Sequence, residues 1–140
     1  MSINHNLEVN QGETLNLHLL YTDANDVGID LSSYSAELQV RRSSFSTDKI
    51  LHLTNTGTTA GITAGSTGSS YGGMSGGLFL NKTIGNTGPL TGGILINAGY
   101  TATNFIPSGD HFYDLELKGP SGDINRILEG RFSCSKEITR

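Results

Sequence analysis

Apolar and polar residues alternate one by one in several short stretches of the chain, and nowhere does a helical period persist. Leu15, Leu17 and Leu19 are interleaved with Asn16, His18 and Leu20. Ala36, Leu38 and Val40 alternate with Glu37, Gln39 and Arg41, and Tyr113, Leu115 and Leu117 with Asp114, Glu116 and Lys118. Because successive side chains on a strand point to opposite faces, each stretch predicts a strand with one buried face. Residues 50–53 continue the series after the polar turn 43–48, and the apolar run within 93–97 reads as a buried strand. After the turn residues 119–123, residues 124–134 return as a long strand, with Ile124, Leu128, Phe132 and Cys134 on one parity. Gly130 falls inside it, where a missing side chain marks a bulge or a close backbone approach. Asp30 is placed to cap one short turn of helix, and residues 98–105 read as another. Six or seven short strands separated by turn residues predict an all-β fold, an antiparallel β-sandwich.

Composition divides the 140 residues unevenly. Residues 56–93 hold 12 of the 19 glycines and 12 serines or threonines, with Lys82 as their one charged side chain. So little apolar material cannot offset roughly 1–2 kcal/mol of ordering entropy per residue. This stretch therefore reads as a long insertion into a single sandwich domain whose core comprises residues 7–55 and 94–140. On that reading, removing residues 57–92 leaves a folded monomer.

The net charge of −4, with nine Lys and Arg spread along the chain, argues against a nucleic-acid partner. No run approaches the roughly 18 apolar residues of a membrane-spanning helix. A single cysteine, Cys134, excludes an internal disulfide and a multi-cysteine zinc site. No signal peptide is visible at the start, so synthesis in a cytosol is expected.

The order of these features carries a resemblance. A glycine-bearing entry at residues 10–15 leads to residues 29–34, then to an amphipathic strand ending in Arg41 and Arg42. The alternating strand of residues 109–117, Gly130 and the closing residues Ile138, Thr139 and Arg140 complete it. The chain resembles the small immunoglobulin-like β-sandwich virion proteins of tailed bacteriophages, and is similar to the N-terminal domain of phage baseplate upper proteins. The resemblance implies an immunoglobulin-like sandwich and a non-enzymatic assembly part of the tail, baseplate or fibre-attachment region. It also implies a place in the virion after assembly in the host cytoplasm, with other phage structural proteins and copies of itself as partners. The long insertion is absent from the compact family pattern.

Candidate chemistry is sparse. Residues 68–72 match G-x-S-x-G, which places Ser70 as a nucleophile only on a strand-to-helix turn. Here the match falls in a Gly/Ser tract, and His111 is the only histidine downstream. Asp23, Asn25 and Gly28 occupy the first, third and sixth places of a calcium loop, but Val27 and Tyr34 stand where oxygen ligands are required. His5, His18, His52 and His111 are far apart in sequence. Asp114 and Glu116 share a strand face with Lys118, and Arg126 or Arg131 on the next strand is placed to pair with them. Cys134 reads as a small buried hydrophobe, and Asn81 begins a glycosylation sequon by pattern alone. No catalytic residue, metal or cofactor is expected. The predicted partner-binding residues are Tyr71, Gly72, Gly73, Gly76, Gly77, Phe79 and Tyr100, since glycine permits close backbone approach and the aromatics offer a stacking surface. Phe105 lies near the same group. Two other roles fit the same residues: receptor or carbohydrate binding on a tail fibre, and capsid decoration.

Overall fold

The computed structural model describes residues 3–43, 49–55, 62–64, 75–82 and 89–136. The strands are β1 (Ile3–Asn4), β2 (Leu7–Asn10), β3 (Leu15–Leu20), β4 (Ser35–Arg41), β5 (Lys49–Thr54), β6 (Ile62–Ala64), β7 (Gly76–Lys82), β8 (Pro89–Ala98), β9 (Gly109–Lys118) and β10 (Ile124–Ser135), with one short helix, α1 (Tyr100–Asn104). They form two sheets. A seven-stranded sheet runs β1-β10-β9-β4-β5-β6, with β2 also paired to β10, and a three-stranded sheet runs β3-β8-β7.

The alternation in the sequence sets which residues face inward. Leu38 stands opposite Leu53 on one side and Leu115 on the other, and Val40 opposite Leu51 and Tyr113. Phe132 pairs with Leu7 and Cys134 with Val9, which extends the same apolar layer to the N-terminal strands. Leu15, Ile94, Ile96 and Leu78 supply the facing layer from the smaller sheet, and both layers join in one buried cluster. Burying such side chains contributes about 1.5–3 kcal/mol each. The rings of Tyr113 and Phe132 meet edge to face at 6.3 Å.

The described strands make an all-β sandwich, and four expectations need correction. First, the seven-stranded sheet is mixed, because β1 and β2 lie parallel to β10, while every other pairing, including both of the three-stranded sheet, is antiparallel. Second, residues 56–93 are not outside the core. They contain β6, β7 and the first half of β8, and Ile62, Ala64 and Leu78 are fully buried. Glycine-rich segments gain burial here by pairing as strands against apolar neighbours, so removing residues 57–92 takes away β6, β7 and the start of β8, and a folded monomer is no longer the expected result. Third, Ile124 is 60% exposed. A bulge between Arg126 and Leu128 reverses the parity, leaving Ile124 opposite Lys118 on the outer face and Leu128 opposite Leu115 within. Fourth, Asp30 caps a turn rather than a helix: its carboxylate accepts from the Ser32 amide, and the Tyr34 amide donates to the Leu31 carbonyl.

Gly130 is a close approach. A Cβ there would stand 2.3 Å from the His5 carbonyl oxygen, at the break between β1 and β2. The Asn6 side chain fills the gap in the ladder by accepting from the Arg131 amide at 3.0 Å, and the Tyr113 hydroxyl donates to the His5 carbonyl. Helix α1 closes one end, with the Thr103 hydroxyl donating to the Glu13 carbonyl at 2.7 Å.

Candidate functional site

The outer face of the seven-stranded sheet carries the polar partners of the buried alternation. Across β4, β9 and β10 the residues line up in rows: Glu37, Glu116 and Arg126; then Gln39, Asp114 and Glu129; then Arg41, Phe112 and Arg131. Apart from Glu37, these residues floor an open groove of about 740 Å3, whose wall on the β1 side includes Asn4 and Asn6. Its size lies within the ~300–1,000 Å3 of small-molecule sites.

Charges within the groove are largely matched. Arg126 donates to Asp114 at 3.2 Å and to Glu129 at 3.3 Å, and Arg41 donates to the Gln39 side-chain oxygen at 2.6 Å. Burial pushes the Asp114 carboxyl up, opposed by Arg126 and Arg41, while Glu129 and Glu37 add to the rise. Glu37 goes the other way. Burial is the largest single influence and would raise it, but hydrogen bonds from Gln39 and His52 and the charges of His52 and Lys49 together hold it low. His52 lies 2.6 Å from Glu37, a contact that is ionic when the imidazole is protonated. Phe112 stands out among these groups: it is 48% exposed, with a guanidinium on either side in register.

The residues singled out from sequence for partner binding do not form one patch. Tyr71, Gly72 and Gly73 lie outside the described residues. Gly76 and Gly77 are buried in the protein's own sheet, paired with Ala98 and Asn97 of β8. At Gly76, with φ of 150°, a Cβ would meet the Asn97 carbonyl oxygen at 2.5 Å. Phe79 is half-buried opposite Leu95, whereas Tyr100 is 66% exposed at the start of α1. Tyr100 follows the Gly76–Ala98 pair, which stands three register positions from Phe79, or about 10 Å along the strand. Phe105 is partly exposed at the other end of α1.

Other candidates resolve into structure. Asp23 accepts from the amides of Asn25 and Val27, making a closed turn of its own. Asn81, at φ of 59°, accepts from the amides of Leu31 and Gly92 and donates to Asp30, which ties the turn before β4 to the smaller sheet. The histidines are not gathered: His18 meets the Lys82 carbonyl, His52 meets Glu37, and buried His111 meets the Pro107 carbonyl. Ser70 lies outside the described residues. Cys134 is buried, and burial raises its thiol pKa. Among the described residues no three His, Cys, Asp or Glu side chains group to hold a metal. No helix among them is long and apolar enough to cross a membrane.

The sequence placed the charged pairs of this face but missed Phe112 and the groove they line. The available signal was parity: one aromatic in a row otherwise made of Asp110, Asp114, Glu116 and Lys118.

No family model matches the chain, and no curated protein matches it in sequence. Among solved structures, one of murine CRIg is similar with a TM-score of 0.37 and 12% identity, over 94% of this chain and 92% of that chain. A likeness of that degree carries no argument about ancestry or activity.

Proposed function

We propose that the protein is a non-enzymatic structural module of a tailed bacteriophage particle, an assembly part of its tail, baseplate or fibre-attachment region. Its partners are other phage structural proteins and copies of itself, and its place is the virion after assembly in the host cytoplasm. The resemblance in the strands around Tyr113 and Gly130 supports the family. The observation that carries an assembly role is strand β3. Its six residues, Leu15–Leu20, contain no charge and no proline, and among the described strands β3 pairs only with β8. Leu20 at its end is 53% exposed. Free-standing proteins usually blunt such an edge with lysine, proline or a bulge, because its open backbone groups recruit another strand. A neighbour that adds a strand there satisfies those groups. In a symmetric particle each such contact can be weak, since the effective concentration is high.

The test is incorporation. Particles are assembled with wild-type protein and with Leu20→Lys, then purified and probed for the chain. The expected result is wild-type chain in the particles and little of the variant, although the variant is folded. Incorporation of the variant at the wild-type level overturns the β3 contact, and absence of the wild-type chain from purified particles overturns the virion role.

A further inference from the structure

We infer that the groove on the outer face of the seven-stranded sheet binds an uncharged oligosaccharide, with Phe112 as its stacking platform. The inference goes beyond the assembly role and does not depend on it, because β3 belongs to the other sheet.

Four observations converge on this ligand class. The groove is open and about 740 Å3 in volume, enough for a small ligand lying along the sheet. Its charged lining balances, with Arg41, Arg126 and Arg131 against Asp114, Glu116 and Glu129. A polyanion would meet three carboxylates and a polycation three guanidiniums, whereas a neutral ligand meets neither penalty. The lining offers donors and acceptors side by side, with Asn4, Asn6 and Gln39 supplying both from one planar group. Sugar hydroxyls also donate and accept, so they match such a surface. Finally, Phe112 is exposed in the middle of the last row, between Arg41 and Arg131, and the apolar C–H face of a pyranose ring covers an aromatic ring of this kind.

A peptide fits less well. Strand β9 is hydrogen-bonded to β4 on one side and β10 on the other, so the groove floor offers no free backbone edge for strand addition. Arg131 is the guanidinium best placed to reach a ligand hydroxyl. It lies beside Phe112, and among the described residues it has no ion pair or side-chain hydrogen bond.

The full chain is tested on an array of neutral and acidic oligosaccharides, with heparin and a random peptide library as controls. The best neutral oligosaccharide from the array is then titrated by calorimetry against wild type, Phe112→Ala, Arg131→Met, Tyr100→Ala and Leu20→Lys. Binding to neutral oligosaccharides is expected, weakened about tenfold by Phe112→Ala and measurably by Arg131→Met. Tyr100→Ala and Leu20→Lys should bind as wild type. Unchanged melting temperatures for Phe112→Ala and Arg131→Met establish that the site, not the fold, was lost. No neutral ligand on the array, binding confined to heparin or peptides, or binding indifferent to Phe112 and Arg131 would each overturn the inference. Loss of particle incorporation with Leu20→Lys while sugar binding persists separates the two sites.

Discussion

The two sheets share one core but present different outer faces. On the seven-stranded sheet, charged residues alternate with the core in regular rows. On the three-stranded sheet, the outward pairs are Asn16 with Asn97, then His18 with Leu95, then Leu20 with Gly93, and no charge interrupts them. Leu95 points away from the inner layer yet is almost fully buried, and Ile94, Leu95 and Ile96 are shielded on both faces. The inner faces answer to the same demand, apolar area removed from water. The outer faces are free to differ: one suits a ligand that forms hydrogen bonds, and the other suits a protein neighbour along its edge.

The strongest way to break this comparison is at the glycine on which each sheet depends. Gly76→Ala forces a Cβ against the β8 backbone and the Ile62 side chain of the other sheet, at a φ that L-residues avoid. A loss of about 3 kcal/mol is expected, the upper end of common single-residue effects, measured by urea unfolding. Gly130→Ala should cost somewhat less, because the clash with His5 can be relieved by lifting β1. Hydrogen exchange should then show residues 3–6 unprotected while the smaller sheet keeps its protection.

Tyr113→Phe removes the donor to the His5 carbonyl and should cost about 1–2 kcal/mol. Burial pushes this phenol up to about 12. A raised folded-state pKa contributes stability below the unfolded value, lost as pH rises through the folded one. Wild type should therefore lose this contribution between about pH 10 and 12, and Tyr113→Phe should show no such loss.

Smaller effects come from two carboxylates shifted in opposite directions on one face. Glu37 is lowered, so its contribution is present above the ordinary carboxylate pKa and lost as pH falls below about 4. Asp114 is raised, so protonating it just above that range relieves a penalty and favours the fold. Glu37→Gln should flatten the decline in stability on acidification and Asp114→Asn should steepen it, each by well under about 1 kcal/mol because both groups are partly solvated. Melting curves from pH 3 to 6 (about one unit either side of the carboxylate range) distinguish the two signs. Smallest of all, Leu20→Lys should leave stability within about 0.5 kcal/mol while abolishing the proposed strand addition at β3.

The inner faces were legible in the sequence because a period of two specifies them directly, as for Leu38 and Val40. Where the period failed, a local irregularity was responsible: the bulge at Arg126 turned Ile124 outward with no change in residue type. The glycine-rich strands were hidden for another reason. β7 begins with two glycines, so its inward position opposite Ala98 carries no side chain to announce it. The groove was half legible. Its ion pairs followed from cross-strand placement, but the setting of Phe112 between two arginines depends on a register that only the folded sheet supplies.

Imaging purified tailed-phage particles, the assemblies to which the proposed function assigns this chain, tests the central claim most directly. The account predicts density for this two-sheet module in the tail, baseplate or fibre-attachment region, with a neighbour's strand laid along Leu15–Leu20. Density in which β3 faces solvent in every copy, or particles that lack the chain altogether, would contradict it.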